Sequence, residues 1–91
     1  MNLPEDHLIV ERKLKPIIVY WKDHCSTSSW FYPEDADRWS KKDPLLCVTV
    51  GFLWAEDRQT IVVSSTISDT QCADLLKILK TDVIKRRFLK I

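Results

Sequence analysis

The chain has 91 residues, a net charge of +1, 45% hydrophobic residues and 30% charged residues. This length predicts a single domain with a small core, and the composition is typical of a folded chain rather than a disordered one. A net charge this close to zero does not by itself indicate a nucleic-acid partner.

The charges are unevenly distributed along the chain. Between residues 23 and 57 there are seven acids and three bases, whereas residues 77–91 contain six bases and one acid. An acidic middle and a basic end predict complementary surfaces, which would meet either within the fold or between two copies of the chain.

The cysteines and the N-terminus indicate an intracellular protein. Cys25, Cys47 and Cys72 are odd in number and widely spaced, so they fit neither a disulfide framework nor a zinc motif. We therefore expect three reduced thiols in a cytoplasm. The polar N-terminus predicts no signal peptide, and no apolar run approaches the roughly 20 residues of a transmembrane helix.

The N-terminal part of the chain divides into residues 1–15, an arm or first element, and the start of a domain over residues 16–91. The apolar patch Leu8-Ile9-Val10 fits a short strand, a helical turn or a docking arm. Residues 15–23 alternate apolar side chains and predict the first strand, which Pro16 opens.

The next segment contains a loop and a short helix. Residues 23–29 are small and polar, which predicts a loop because such side chains compete for backbone hydrogen bonds. A helix is predicted over residues 33–39, because Pro33 suits the first helical position and acids suit the first turn.

The strongest strand signal is the alternating apolar run Leu45–Glu56, whose two faces are both largely apolar. This pattern predicts a central strand, and Gly51 indicates a bend or bulge within it. Residues 56–59 predict a hairpin turn, and residues 60–68 predict the β-branched strand that follows.

The C-terminal third is less clear. After a polar turn, residues 75–80 fit either a helix or a short buried strand, and residues 83–91 predict a final strand. About five strands in so short a chain cannot form a two-sheet sandwich with a large core. We therefore predict a mainly β fold with one short helix, in which a bent sheet closes into a small five-stranded barrel.

The chain resembles a family of small phage and prophage proteins with no assigned function. The motifs that carry the resemblance lie within residues 16–91: Val19-Tyr20-Trp21-Lys22-Asp23 with Ser26 and Trp30, Val48-Thr49-Val50-Gly51-Phe52-Leu53 with Glu56-Asp57, Ile61-Val62-Val63-Ser64-Ser65-Thr66-Ile67-Ser68, and the closing segment 75–91. In that segment Ile78-Leu79-Lys80 stands where the family commonly has Ile-Pro-Lys. The resemblance implies an SH3-like or Sm-like barrel in the host cytosol, and it implies no catalytic signature.

No combination of residues in the sequence predicts catalysis, a metal or a cofactor. The adjacent pair His24-Cys25 has no glycine-rich turn beside it to form an oxyanion hole. The carboxylates Glu56 and Asp57 fit a solvated turn. His7, His24 and the cysteines lack the spacing of metal ligands, and a single glycine excludes phosphate-binding loops.

The triplet Trp30, Phe31 and Tyr32 is the first candidate site. Three consecutive aromatic residues cannot all face one core, so one or two of them are expected at the surface or against another chain. Exposed tryptophan and tyrosine side chains typically anchor protein interfaces. The triplet is therefore a predicted partner-binding site.

The second candidate site is the basic cluster Lys85, Arg86 and Arg87. These bases fit a solvated strand end, or an anion site for a phosphate, a nucleotide or an acidic protein surface. Ser64 and Thr66, on a predicted neighbouring strand, would add hydroxyl contacts to such a site.

Three classes of function follow from these features. The first is a non-enzymatic phage or prophage accessory protein: an oligomeric module that binds itself and a host protein and counteracts a host defence system. The second is a small-barrel binder of nucleic acid or of a nucleotide signal through the basic C-terminal surface. An enzyme is the least supported class, because no nucleophile, base and stabilising group come together.

Overall fold

The computed structural model describes residues 2–24 and 27–90. Two α-helices, five strands and one 3₁₀ helix (η1) follow one another in the order α1 (Leu8–Glu11), β1 (Pro16–Asp23), α2 (Pro33–Ser40), β2 (Leu45–Glu56), β3 (Thr60–Ile67), β4 (Cys72–Leu79), η1 (Lys80–Asp82) and β5 (Val83–Phe88).

The five strands form one antiparallel sheet in the order β4-β3-β2-β1-β5. Its core cluster lies on one face and consists of buried side chains from β1, β3 and β4: Ile17, Val19, Ile61, Val63 and Ile78. We call this side of the sheet the inner face and the opposite side the outer face. Each strand contributes alternate residues to the two faces.

The sheet must bend strongly, because β4 and β5 lie at its opposite edges and only the three residues of η1 join them. Four strand spacings would separate the edges of a flat sheet by about 19 Å, whereas that connection spans at most about 14 Å. Among the described residues no ladder joins β4 to β5, so the sheet is bent but not closed into a barrel.

The structure confirms the mainly β class and the short helix after residue 32. Residues 75–80, which fitted either helix or strand, lie almost entirely in β4. The Leu8-Ile9-Val10 patch is a helical turn, α1, where the His7 ring accepts a hydrogen bond from the Ile9 amide at 3.1 Å. The predicted barrel closure is not shown.

Gly51 lies close against β3, at the end of the β2–β3 ladder. A Cβ atom at this position would lie 2.6 Å from the Ser64 carbonyl oxygen and 2.7 Å from Cγ1 of Val63. The bulge in β2 is further along, between Leu53 and Ala55. Gly51 therefore permits a close approach rather than a bulge.

The molecule is elongated. Its principal extents are 59 × 24 × 23 Å and its radius of gyration is 17.5 Å, whereas a compact chain of this length has a radius of gyration of about 12 Å. Many large apolar side chains consequently remain at the surface.

Candidate interaction site

The outer face carries an apolar patch in the region where β1 and β2 pair. Cross-strand pairing places Tyr20 opposite Val48 and Ile18 opposite Val50. The side chains of Val48 and Val50 are 53% and 54% exposed, and Leu46 on the same face is 65% exposed. Contiguous exposed apolar patches are typical of interaction surfaces.

Strand geometry divides the predicted basic cluster between the two faces. Lys85 lies opposite Tyr20 and Arg87 lies opposite Ile18, so both bases belong to the outer face beside the apolar patch. Arg86 lies opposite the buried Val19 and therefore belongs to the inner face.

On the inner face, Arg86 binds a carboxylate of β2. The Oε2 atom of Glu56 lies 2.9 Å from the Arg86 guanidinium and 2.7 Å from Lys80 Nζ. A cavity of about 220 Å³ beside these two ion pairs is lined by Ile61, Lys80, Val83 and Arg86. The two ion pairs connect the end of β2 to η1 and β5, where the bent sheet brings its two edges together.

These two bases lower the pKa of the Glu56 carboxyl below its ordinary value of 4.5, with the hydrogen bond from Arg86 as the larger cause and that from Lys80 as the next. A lowered pKa in the folded state stabilises the fold above the ordinary pKa. That contribution is lost as the pH falls through the lowered value.

We expect Glu56→Gln to reduce the free energy of unfolding by about 1 kcal/mol at neutral pH, because it removes two partly exposed ion pairs. The deficit should shrink as the pH falls below 4.5, where Glu56 of the unfolded chain becomes protonated, and disappear below the lowered pKa of the folded state. Denaturant unfolding at neutral and acidic pH measures both values. Glu5→Gln, which changes an exposed carboxylate near the N-terminus, should have no such effect, and an equal Glu56→Gln deficit at both pH values would contradict the assignment.

The structure does not bring Ser64 and Thr66 together with the basic cluster. Ser64 is fully buried, and its hydroxyl donates to the carbonyl oxygens of Thr66 and Ala73 at 3.0 Å and 2.7 Å. The Thr66 hydroxyl lies 3.5 Å from the Asp74 carboxylate, and β3 is not adjacent to β5. Anion binding by Lys85 and Arg87 stays a prediction.

The aromatic triplet lies immediately before α2, where Pro33 opens the helix. Trp30 is fully exposed, Tyr32 is 78% exposed and Phe31 is 42% exposed. A groove of about 430 Å³ runs between the triplet and the helix, lined by Trp30, Phe31, Asp35, Arg38, Trp39 and Lys42. All three aromatic side chains are therefore available to a partner.

The first half of β2 is a surface that the sequence analysis missed. Residues 45–50 pair with β1 on one side, whereas β3 pairs with β2 only from Phe52 onward. The two apolar faces correctly predicted a central strand, since β2 is the third of the five strands. Its first half nevertheless has no neighbour on the β3 side, and the apolar side chains of Leu46, Val48 and Val50 are more than half exposed. The absence of any charge between Pro44 and Glu56 was the signal that could have revealed it.

The remaining chemistry-bearing residues form no reactive centre that the structure describes. His24 Nε2 lies 2.7 Å from Asp82 Oδ1 and links the loop after β1 to η1. Cys25, the other half of the His24-Cys25 pair, lies outside the described residues. Within residues 2–24 and 27–90, no three metal-binding side chains cluster.

Comparison with known protein families, curated proteins and solved structures finds no match to this chain. No helix in the described part of the chain has the length and apolar character needed to cross a membrane.

Proposed function

We propose that the chain is a non-enzymatic, oligomeric protein-interaction module. The observation that carries this proposal is that the chain exposes more surface than a compact monomer of its mass. The chain exposes 7386 Å², whereas a compact monomer of the same mass exposes about 5,500 Å². The difference of about 1,900 Å² exceeds the roughly 800 Å² that each partner buries in a typical stable complex.

The exposed residues also support association rather than a solvated monomer. The outer face combines apolar side chains at its centre with Lys85 and Arg87 toward β5. An apolar centre with charges at its rim is the usual anatomy of a protein interface.

The aromatic triplet supplies a second surface for a different protein. Trp30 and Tyr32 protrude beside the acidic first turn of α2, which contains Glu34 and Asp35. Together with the resemblance to phage and prophage proteins, this supports an accessory protein of the host cytosol that binds a host protein and counteracts a defence system. Trp30 and Tyr32 would be the anchors of that contact.

The oligomer should make thermal stability depend on protein concentration, because association of folded chains stabilises them by mass action. The unfolding midpoint of the wild-type protein is expected to rise as the concentration is increased. Calorimetry over a wide concentration range measures it. A midpoint that does not change with concentration would count against an oligomer.

Binding of nucleic acid or a nucleotide is a second candidate function, and one observation favours it. Lys85 and Arg87 share the outer face with Tyr20, and bases beside an aromatic ring suit phosphates and a stacked nucleobase. Thermal shift with RNA and with a nucleotide panel tests this function. A shift that Lys85→Gln/Arg87→Gln removes would support it, and no shift with any of these ligands would reject it.

A further inference from the structure

Three strand edges of six or more residues in the described structure lack a neighbouring strand: the outer edges of β4 and β5, and the first half of β2. Open edges present backbone donors and acceptors to other chains, and proteins usually protect them with charged side chains. The three edges can therefore be compared by the charges that they carry.

Two of these edges are protected. Strand β4 contains Asp74 and Lys77, and β5 contains three consecutive bases, Lys85, Arg86 and Arg87. Residues 45–50, with the sequence Leu-Leu-Cys-Val-Thr-Val, contain no charge, no proline and no glycine. An apolar, uncharged edge of this kind favours pairing with another strand.

We infer that residues 46–50 of β2 pair antiparallel with the same residues of a second copy of this chain, across a twofold axis at Val48. This inference rests on the proposed oligomeric function and names its interface. It joins two five-stranded sheets into one continuous sheet. A twofold contact needs a self-complementary surface, and an uncharged strand meets an identical strand without repulsion.

The register follows from the exposed side chains. With the axis at Val48, each Val48 lies opposite its counterpart and each Leu46 lies opposite a Val50 of the second copy. These three side chains are all more than half exposed and share the outer face. Because directly opposed residues share a face of a sheet, this register places each of these exposed side chains beside an apolar side chain of the second copy.

The molecule has enough exposed surface for an interface with a second copy. The excess of about 1,900 Å² is sufficient for the roughly 800 Å² that each partner of a stable dimer buries. Pairing also satisfies the outward-directed amide and carbonyl groups of this half of β2, for which the described residues provide no backbone hydrogen bond on that side.

Cysteine cross-linking tests the axis directly. In a background of Cys25→Ser, Cys47→Ser and Cys72→Ser, Val48→Cys should form a disulfide-linked dimer under mild oxidation, since directly opposed strand residues meet the geometry of the bond. Matched controls are Leu75→Cys on β4 and Ile84→Cys on β5, because the three side chains are 53%, 54% and 55% exposed. We expect Val48→Cys to cross-link at least about tenfold faster than either control.

Cross-linking between two different cysteine variants tests the register without altering Val48. Leu46→Cys chains mixed with Val50→Cys chains should cross-link to each other faster than either forms a dimer alone. Fastest cross-linking at Leu75→Cys or Ile84→Cys would overturn the β2 axis while leaving an oligomeric function intact. Equally slow reaction at all positions, with a monomeric wild-type protein, would overturn both.

Discussion

Replacing Val48 with glutamate is expected to convert the protein from an oligomer into a 10.7 kDa monomer. Across the proposed twofold axis the two new carboxylates would lie directly opposite each other. Like charges so placed in a desolvated interface cost several kcal/mol, so self-association should weaken by at least about a hundredfold, or roughly 3 kcal/mol.

The substitution should change the isolated fold much less, because the Val48 side chain is already half exposed. Light scattering would measure the mass, and circular dichroism would show that the variant is folded. Val10→Glu is the matched control, since it introduces the same charge at an exposed valine of α1. If Val48→Glu and the control associate as well as the wild-type protein, the β2 edge is not the interface.

Replacing Gly51 with alanine is expected to lower the free energy of unfolding by about 2 kcal/mol, and the unfolding midpoint by roughly 10 °C. The added Cβ would lie 2.6 Å from the Ser64 carbonyl oxygen. That oxygen belongs to the backbone of β3. Relieving the steric clash therefore requires the two strands to separate where the ladder between them ends.

Thermal unfolding at a fixed protein concentration measures this effect, because the midpoint of an oligomer also depends on concentration. Ser65→Ala is the control, since Ser65 is an exposed residue on the adjacent strand. It should change the free energy of unfolding by less than about 0.5 kcal/mol. A Gly51→Ala protein as stable as the wild type would show that β2 and β3 do not approach so closely.

Local patterns predicted most of the elements. Alternation of apolar residues identified Leu45–Glu56 with its observed bounds, and Pro33 with its following acids identified α2. Residues 75–80 remained ambiguous because their four apolar side chains fit both periodicities. Only the long-range pairing of β4 with β3 decides that they form a strand.

The composition of the core depended on packing that no local pattern reveals. The fully buried large side chains are isoleucines and valines, whereas Trp30 is fully exposed. β-Branched side chains pack well on the pleated surface of a narrow, bent sheet. The larger rings of Trp21 and Trp54 are only partly buried, and Trp21 packs against the core cluster.

For the candidate sites too, the sequence predicted what depends on local pattern and not what depends on packing. Sequence identified the aromatic triplet because adjacent residues cannot share one core, and it grouped Lys85, Arg86 and Arg87 because they are consecutive. It could not show that Arg86 points to the opposite face and binds Glu56. Nor could it show that the first half of the central strand β2 lacks a neighbour on one side, because both halves of that strand are apolar on two faces.

Sedimentation equilibrium of the wild-type chain tests the central claim most directly. Self-pairing through β2 predicts a species of twice the 10.7 kDa chain mass, in concentration-dependent equilibrium with the monomer. A molar mass of 10.7 kDa at every concentration would contradict it.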